Sequence, residues 1–147
     1  MNDSTGSGET GGSMLVPVDR KRVLVADDER GIRDVFLHIL RYNLPACRID
    51  AVINGAEAVE AFRAVHYGLL LIDVKMPVMD GIAAFDAIME ICEREGIEKP
   101  SFVFCTGYEP SDELRKRIGN DTKHCVLRKP VRNEDLVNAL KPRLNIG

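Results

Sequence analysis

The feature that most constrains the fold is an alternation, repeated five times, between a short apolar run and a longer segment with apolar residues every three or four positions. Short runs rich in valine, isoleucine, leucine and phenylalanine are typical of β-strands, and the longer spacing is typical of helices that bury one face. The five runs, in chain order, are RVLVAD, CRIDAVI, GLLLID, SFVFCT and HCVLRK. The sequence therefore predicts five successive strand–helix units.

Most of these runs are continuously apolar between their ends, which is typical of parallel strands covered by helices on both faces. With right-handed crossovers, they predict an α/β fold with an open, doubly wound parallel sheet of five strands in the order 2-1-3-4-5, the flavodoxin-like arrangement. The second run alternates apolar and polar residues, so we expect it at an edge of the sheet. A chain of 147 residues is long enough for one such domain.

Composition limits the class of protein further. Residues 1–19 are rich in Gly, Ser and Thr, and predict a flexible tail before a domain over residues 20–147. A net charge of −3 gives no basic surplus for direct nucleic-acid binding. There is neither an apolar stretch of the roughly 20 residues that cross a bilayer nor a secretory signal, so we expect a cytoplasmic protein. The four cysteines form no C-x-x-C pair, and we expect them to be reduced and packed.

Polar side chains stand where four of the predicted strands end. In chain order they are Asp27 with Asp28, Asp73, Thr106 with Gly107, and Lys129 with Pro130. The carboxyl ends of parallel strands meet at one edge of the sheet, where doubly wound folds carry their functional crevice. We therefore expect three acids, one hydroxyl and one amine to gather at this edge.

The three acids together predict a cation site. Neighbouring carboxylates repel one another, and a hard divalent ion such as Mg²⁺, or Mn²⁺, relieves that repulsion. Lys129 offers an ammonium group, and Thr106 a hydroxyl donor, to a bound phosphoryl group. A carboxylate can itself receive a phosphoryl group. Asp73 is the best candidate because it is a single acid at the end of the predicted central strand.

Each residue alone has a simpler interpretation. Asp27 and Asp28 precede a predicted helix and could be N-caps. Asp80 with Gly81 is typical of a turn that starts a helix, and an isolated Asp73 could also be a turn residue. Their joint occurrence at strand ends, in this order, favours one functional site.

With these residues, the chain resembles the receiver domain of two-component response regulators, over about residues 20–144. The motifs that carry the resemblance are Asp27-Asp28, Asp73 with KMPVMDG soon after it, Thr106-Gly107 and Lys129-Pro130. The resemblance implies that Asp73 takes a phosphoryl group from a sensor histidine kinase or a histidine phosphotransfer protein. It implies no enzyme activity beyond Mg²⁺-dependent self-phosphorylation and slow autodephosphorylation.

The resemblance also implies a ligand set for Mg²⁺. Asp28 and Asp73 are expected to bind the ion directly, with the backbone carbonyl of Lys75 as a third protein ligand. Asp27 is expected to act through a metal-bound water.

A switch is implied as well. Thr106 is expected to bond a phosphoryl oxygen after Asp73 is modified, and Lys129 to pair with the phosphate. The peptide bond before Pro130 is commonly cis in this family. The surface formed by residues 107–140 is expected to repack and to bind a downstream protein.

Two positions depart from the usual pattern. The family often has an aromatic residue on the fifth strand three places before the lysine, where this chain has Val126; Tyr108 follows Thr106 by two places instead. We therefore expect a variant of the usual coupling between threonine and an aromatic residue. Our hypothesis is that Lys75 and Tyr108 tune how fast water reaches the acyl phosphate; the alternative is that both are solvated without a kinetic role.

Two other functions use or imitate a similar residue set. A haloacid-dehalogenase-type phosphatase uses a similar residue set, but its first-strand motif, D-x-D-x-[TV], does not match Asp27-Asp28-Glu29. A pseudo-receiver would bind partners without phosphorylation. The presence of all the key residues argues against this function. The residues after about 141 are too few for an output domain, so we expect either a stand-alone receiver or part of a longer chain.

Overall fold

The five predicted strand–helix units are present in the structure, a computed structural model that describes residues 14–146. The strands form one parallel sheet in the order β2-β1-β3-β4-β5, with β2 at an edge, so the predicted α/β architecture is confirmed. The elements are β1 Asp19–Ala26, α1 Arg30–Asn43, β2 Arg48–Val52, α2 Gly55–Ala64, β3 Tyr67–Asp73, α3 Gly81–Glu95, β4 Ser101–Thr106, α4 Asp112–Ile118, β5 Cys125–Arg128 and α5 Asn133–Arg143.

The two faces of the sheet carry separate hydrophobic cores. Alternate residues of β1, β3 and β4 point to opposite faces, as the strand period of two requires. One core packs against α2, α3 and α4, and the other against α1 and α5. Every residue of β3 and β4 is buried, so the strands that end in Asp73 and Thr106 are held on both sides. All four cysteines are free, as predicted.

Side-chain caps fix the start of three helices. Asn54, Asp80 and Ser111 each accept a hydrogen bond from the backbone N–H three residues further on, so the helix start predicted at Asp80 is confirmed. Gly81 follows Asp80 and lies so close to β3 that an added Cβ would approach the Asp73 carbonyl oxygen to 2.5 Å. Glycine at this position therefore lets α3 begin directly against the end of the central strand.

Residues before position 20 contribute to the domain. Residues 1–13 of the predicted tail lie outside the described residues. The Val16 N–H donates to the Gly96 carbonyl at 2.8 Å, and the Val16 carbonyl accepts from the Glu98 N–H at 2.7 Å. Val18 is buried. Residues 16–18 therefore pack with the domain, because Val16 pairs with the chain after α3 and Val18 is buried.

Proline lacks an N–H and clashes with the preceding helical turn, so Pro142 in the sequence predicts an early end of the last helix. This prediction is wrong, since α5 continues to Arg143. Proline removes one donor only, and the turn keeps other bonds. The Leu144 N–H donates to the Leu140 carbonyl at 3.0 Å, and Arg143 Nη1 donates to the Ala139 carbonyl at 2.9 Å. Within residues 14–146, no helix has both the length and the apolar character to cross a membrane.

Candidate functional site

The three acids predicted to gather do lie together. Asp27 and Asp28 occupy the turn after β1, and Asp73 is the last residue of β3. The two strands are adjacent and in register, with Ala26 opposite Ile72. One carboxylate oxygen of each acid lies within 4.8 Å of the other two. Asp27 and Asp73 are only 1% and 8% exposed, whereas Asp28 is exposed.

The polar groups of Asp27 are held from several directions. Its Oδ1 accepts from the Glu29 N–H at 2.9 Å, and its Oδ2 accepts from Lys129 Nζ at 2.9 Å. Its backbone carbonyl accepts from Arg33 Nη1 at 3.0 Å. The residue at the N-cap of α1 is Glu29, which makes no side-chain cap. The interpretation of Asp27 and Asp28 as simple helix caps is therefore wrong.

Lys129 connects the end of β5 to the acids. Its Nζ lies 2.9 Å from Asp27 Oδ2 and 3.3 Å from Asp73 Oδ2, and its side chain is 16% exposed. Burial alone lowers the pKa of Lys129, but hydrogen bonding to Asp27 and the charges of both acids outweigh burial and raise the pKa. The Lys129–Pro130 peptide bond is cis, as the family resemblance implied.

Burial is the main cause that raises the pKa of the Asp73 carboxyl above its usual range. The charges of Asp27 and Asp28 act in the same direction, and Lys129 acts against them. Strand β3 therefore holds Asp73 where ionisation of its carboxyl is less favourable than in water. A carboxylate in such a place interacts strongly with any cation that reaches it.

Thr106 faces a different partner from the one expected after phosphorylation. Its hydroxyl donates to the Tyr108 carbonyl at 3.3 Å and accepts from the Tyr108 N–H at 3.1 Å. The Thr106 carbonyl accepts from the Lys129 N–H at 2.8 Å. The hydroxyl therefore fixes the turn between β4 and α4, while the backbone joins Thr106 to Lys129.

A cleft of about 290 Å³ opens above Asp73. Its lining brings together four of the predicted site residues with Lys75 and Tyr108: Asp28, Asp73, Lys75, Thr106, Tyr108 and Lys129, with Glu29 and Gly107. Lys75 Nζ lies over the Tyr108 ring, 5.0 Å from its centroid, in a cation–π contact. Sequence reasoning linked these two residues only as a hypothesis, and the fold puts them in contact.

The donor set fits a magnesium ion. Carboxylate oxygens are hard ligands of the kind Mg²⁺ prefers, and an exposed acid leaves room for the waters that this ion keeps. Both oxygens of Asp27 already accept protein hydrogen bonds, whereas Asp28 is exposed to the cleft. This difference matches the expected division between Asp28 as a direct ligand and Asp27 as one that acts through water.

Sequence reasoning missed two neighbours of this site. One is Arg33, the donor to the Asp27 carbonyl, which a helical pattern assigns only to a partly exposed face. The other is an apolar groove of about 630 Å³ between α1 and the β5–α5 loop, lined by Ile32, Val35, Phe36, Pro130 and Val131, among others. The sequence alone predicts neither feature. The Arg33 contact depends on the direction of its side chain, and the groove depends on two segments about 100 residues apart in the chain.

The parallel sheet with an acid cluster at its carboxyl edge defines a doubly wound α/β domain with a candidate cation site, and comparison with known proteins identifies the family. The family model described as the response regulator receiver domain matches residues 23–141. The chain therefore belongs to the response regulator receiver domain family.

Relatives and solved structures agree with this assignment. Two-component system protein A of Emericella nidulans is 32% identical over 134 residues, which are 90% of this chain and 19% of that protein. The positive alginate biosynthesis regulatory protein of Pseudomonas aeruginosa is 32% identical over 121 residues, 81% of this chain and 45% of that protein. The chain thus spans less than half the length of these relatives.

A solved structure shares the fold. The receiver domain of a sensor histidine kinase from Pseudomonas aeruginosa PAO1 superposes with a TM-score of 0.70 at 22% identity, covering 84% of this chain and 97% of that one. Its magnesium ion is coordinated in the active-site cleft of that protein.

Proposed function

We propose that this chain is a phosphoacceptor receiver in a two-component system or phosphorelay. Asp73 takes a phosphoryl group from a sensor histidine kinase or a histidine phosphotransfer protein. The observation that carries the proposal is the burial of Asp73 3.3 Å from Lys129 Nζ, in a cluster with Asp27 and Asp28. Membership of the receiver family supports it.

The transfer needs a nucleophile and charge neutralisation. A carboxylate oxygen of Asp73 bonds to phosphorus as the bond to the donor's imidazole nitrogen breaks, and that nitrogen keeps the electron pair. Lys129 offsets negative charge on the phosphoryl oxygens. Asp28, Asp73 and the Lys75 carbonyl would hold Mg²⁺ directly, with Asp27 acting through water; the bound ion supplies further charge neutralisation.

The modified Asp73 then acts as a switch. For the Thr106 hydroxyl to bond a phosphoryl oxygen, it has to leave the Tyr108 backbone, which it now contacts at 3.1 and 3.3 Å. That exchange frees the turn before α4 and shifts the population of the surface formed by residues 107–140. We propose that a downstream protein, rather than nucleic acid or membrane, reads this surface.

Lys75 and Tyr108 form a cover over the cleft in this proposal. Their contact at 5.0 Å stands beside Asp73 in the cleft lining, where it limits the approach of water to an acyl phosphate. Lys75→Ala and Tyr108→Ala are each expected to speed autodephosphorylation. Unchanged rates in both variants would mean that the two side chains have no kinetic role.

Phosphorylation can be tested without the natural donor. The chain is incubated with Mg²⁺ and acetyl phosphate, and the intact mass is followed in time. We expect a stable adduct of one phosphoryl group in the wild type and in the control Asp34→Asn, and none in Asp73→Asn. Asp34 is a suitable control because its carboxylate is 62% exposed and lies 3.7 Å from Arg30 Nε on the surface of α1.

The same experiment separates the competing functions. Rapid release of phosphate over many turnovers, with no lasting adduct, would support a phosphatase. No adduct and no turnover would support a pseudo-receiver. Either result would overturn the proposal.

A further inference from the structure

Arg33 is a charged residue that the proposed phosphoryl transfer does not use. It lies in the first turn of α1, and its Nη1 donates to the carbonyl of Asp27 at 3.0 Å. A cation in the first turn is unfavourable because the helix dipole is positive at that end. The bond to Asp27 is a specific interaction that offsets this cost.

The bond acts on the peptide unit that joins Asp27 to Asp28. The Asp27 N–H donates to the Val52 carbonyl at 3.2 Å, and its carboxylate is bonded to Glu29 and Lys129. The Asp27 carbonyl is the remaining polar group of this residue. A peptide unit is planar, so a bond that fixes its carbonyl oxygen also fixes the direction in which the next residue leaves.

Asp28 is that next residue. Its side chain is exposed and is set by the backbone of the turn more than by packing. We infer that Arg33 is a positioning residue that holds the Asp27–Asp28 peptide so that the Asp28 carboxylate points at the divalent cation. This inference rests on the proposed function, because it requires Mg²⁺ at the acid cluster.

The charge of Arg33 and its hydrogen bond to Asp27 predict opposite effects on cation affinity, which makes the inference testable. A guanidinium near the acids repels a divalent cation, so removal of its charge alone should tighten cation binding. Loss of its positioning bond should weaken binding. Groups that orient metal ligands typically contribute at least tenfold to metal affinity, so we expect Arg33→Met to weaken binding about tenfold.

The test uses the full chain and Mn²⁺, with the EPR signal of free Mn²⁺ as the readout and Mg²⁺ as the competitor. The matched control is Arg30→Met, which removes the same charge from the same turn; Arg30 is 86% exposed and pairs at 3.7 Å with Asp34. Unfolding by urea, without divalent ions, is measured for each variant to separate cation binding from stability.

The expected result is a Kd about tenfold higher for Arg33→Met than for Arg30→Met. A Kd equal to or lower than that of Arg30→Met, in a folded variant, would overturn the inference. The wild type and Asp28→Asn separate this failure from failure of the proposed function. If the wild type binds no cation, or if Asp28→Asn binds as tightly as the wild type, the proposed cation site itself is wrong.

Discussion

Replacement of Asp73 by Asn is expected to make the folded protein more stable at neutral pH when divalent cations are absent. The ionised Asp73 lies 3.3 Å from Lys129 Nζ, and at an effective dielectric constant of 20 this attraction is about 5 kcal/mol. It also lies within 4.8 Å of oxygens of Asp27 and Asp28, and the repulsion from the buried Asp27 is then about 3.5 kcal/mol. Solvent screens the repulsion from the exposed Asp28, and the attraction to Lys129 offsets the repulsions, so these charges alone do not destabilise the fold.

Desolvation decides the sign: it is the largest cause of the raised pKa of Asp73, whose side chain is only 9% exposed. Asn has nearly the same shape and no charge, so it removes the desolvation cost and keeps the packing. After allowance for solvent screening at the exposed Asp28, we expect the free energy of unfolding to rise by about 1–2 kcal/mol. The control Asp34→Asn, at an exposed surface pair, is expected to change it by less than about 0.5 kcal/mol.

Urea unfolding in EDTA measures the difference, and pH gives a second test. The pKa of Asp73 is raised in the folded protein, so the ionised group destabilises the fold above that pKa. As the pH falls through it, the carboxyl becomes neutral and the cost is lost. The advantage of Asp73→Asn should therefore shrink toward acid pH. A variant that is less stable than the wild type at pH 7, or an advantage that grows toward acid pH, would refute the reasoning.

Three further predictions concern stability. Burial lowers the pKa of His124, whose Nδ1 accepts from the Phe102 N–H at 3.1 Å. The free energy of unfolding in urea should therefore fall as the pH drops below about 6.5, and His124→Asn should reduce that fall. Gly81→Ala, with a Cβ 2.5 Å from the last carbonyl of β3, should cost about 2 kcal/mol or more, whereas Gly31→Ala, with nothing within 4 Å, should stabilise. Val78, exposed at φ 70°, is strained, and Val78→Asn should raise the Tm through a gain of about 1 kcal/mol.

Much of the fold follows from local patterns in the sequence. The fully apolar runs that become β3 and β4 predicted buried parallel strands, and the alternating run that becomes β2 predicted an edge. These predictions are confirmed. They depend only on the strand and helix periods, which the backbone sets without distant contacts. The pattern fails at Pro142 and at the docked residues 16–18, where bonds to other segments decide the outcome.

In the candidate site, too, the sequence determined some features and the tertiary structure decided others. Parallel strands require that residues at their carboxyl ends meet, so the sequence by itself determined that Asp27, Asp28, Asp73 and Lys129 share one edge. Only the tertiary structure decided that Lys129 bonds Asp27, 102 residues away, more closely than Asp73.

The direction of individual side chains was also decided by tertiary structure. The Thr106 hydroxyl turns to the Tyr108 backbone, Lys75 lies over the Tyr108 ring, and Arg33 reaches the Asp27 carbonyl. The sequence determines which residues arrive at the edge because strand order and period are properties of the backbone. It does not determine which atoms meet there, because that depends on rotamers selected by neighbours that the fold brings from distant parts of the chain.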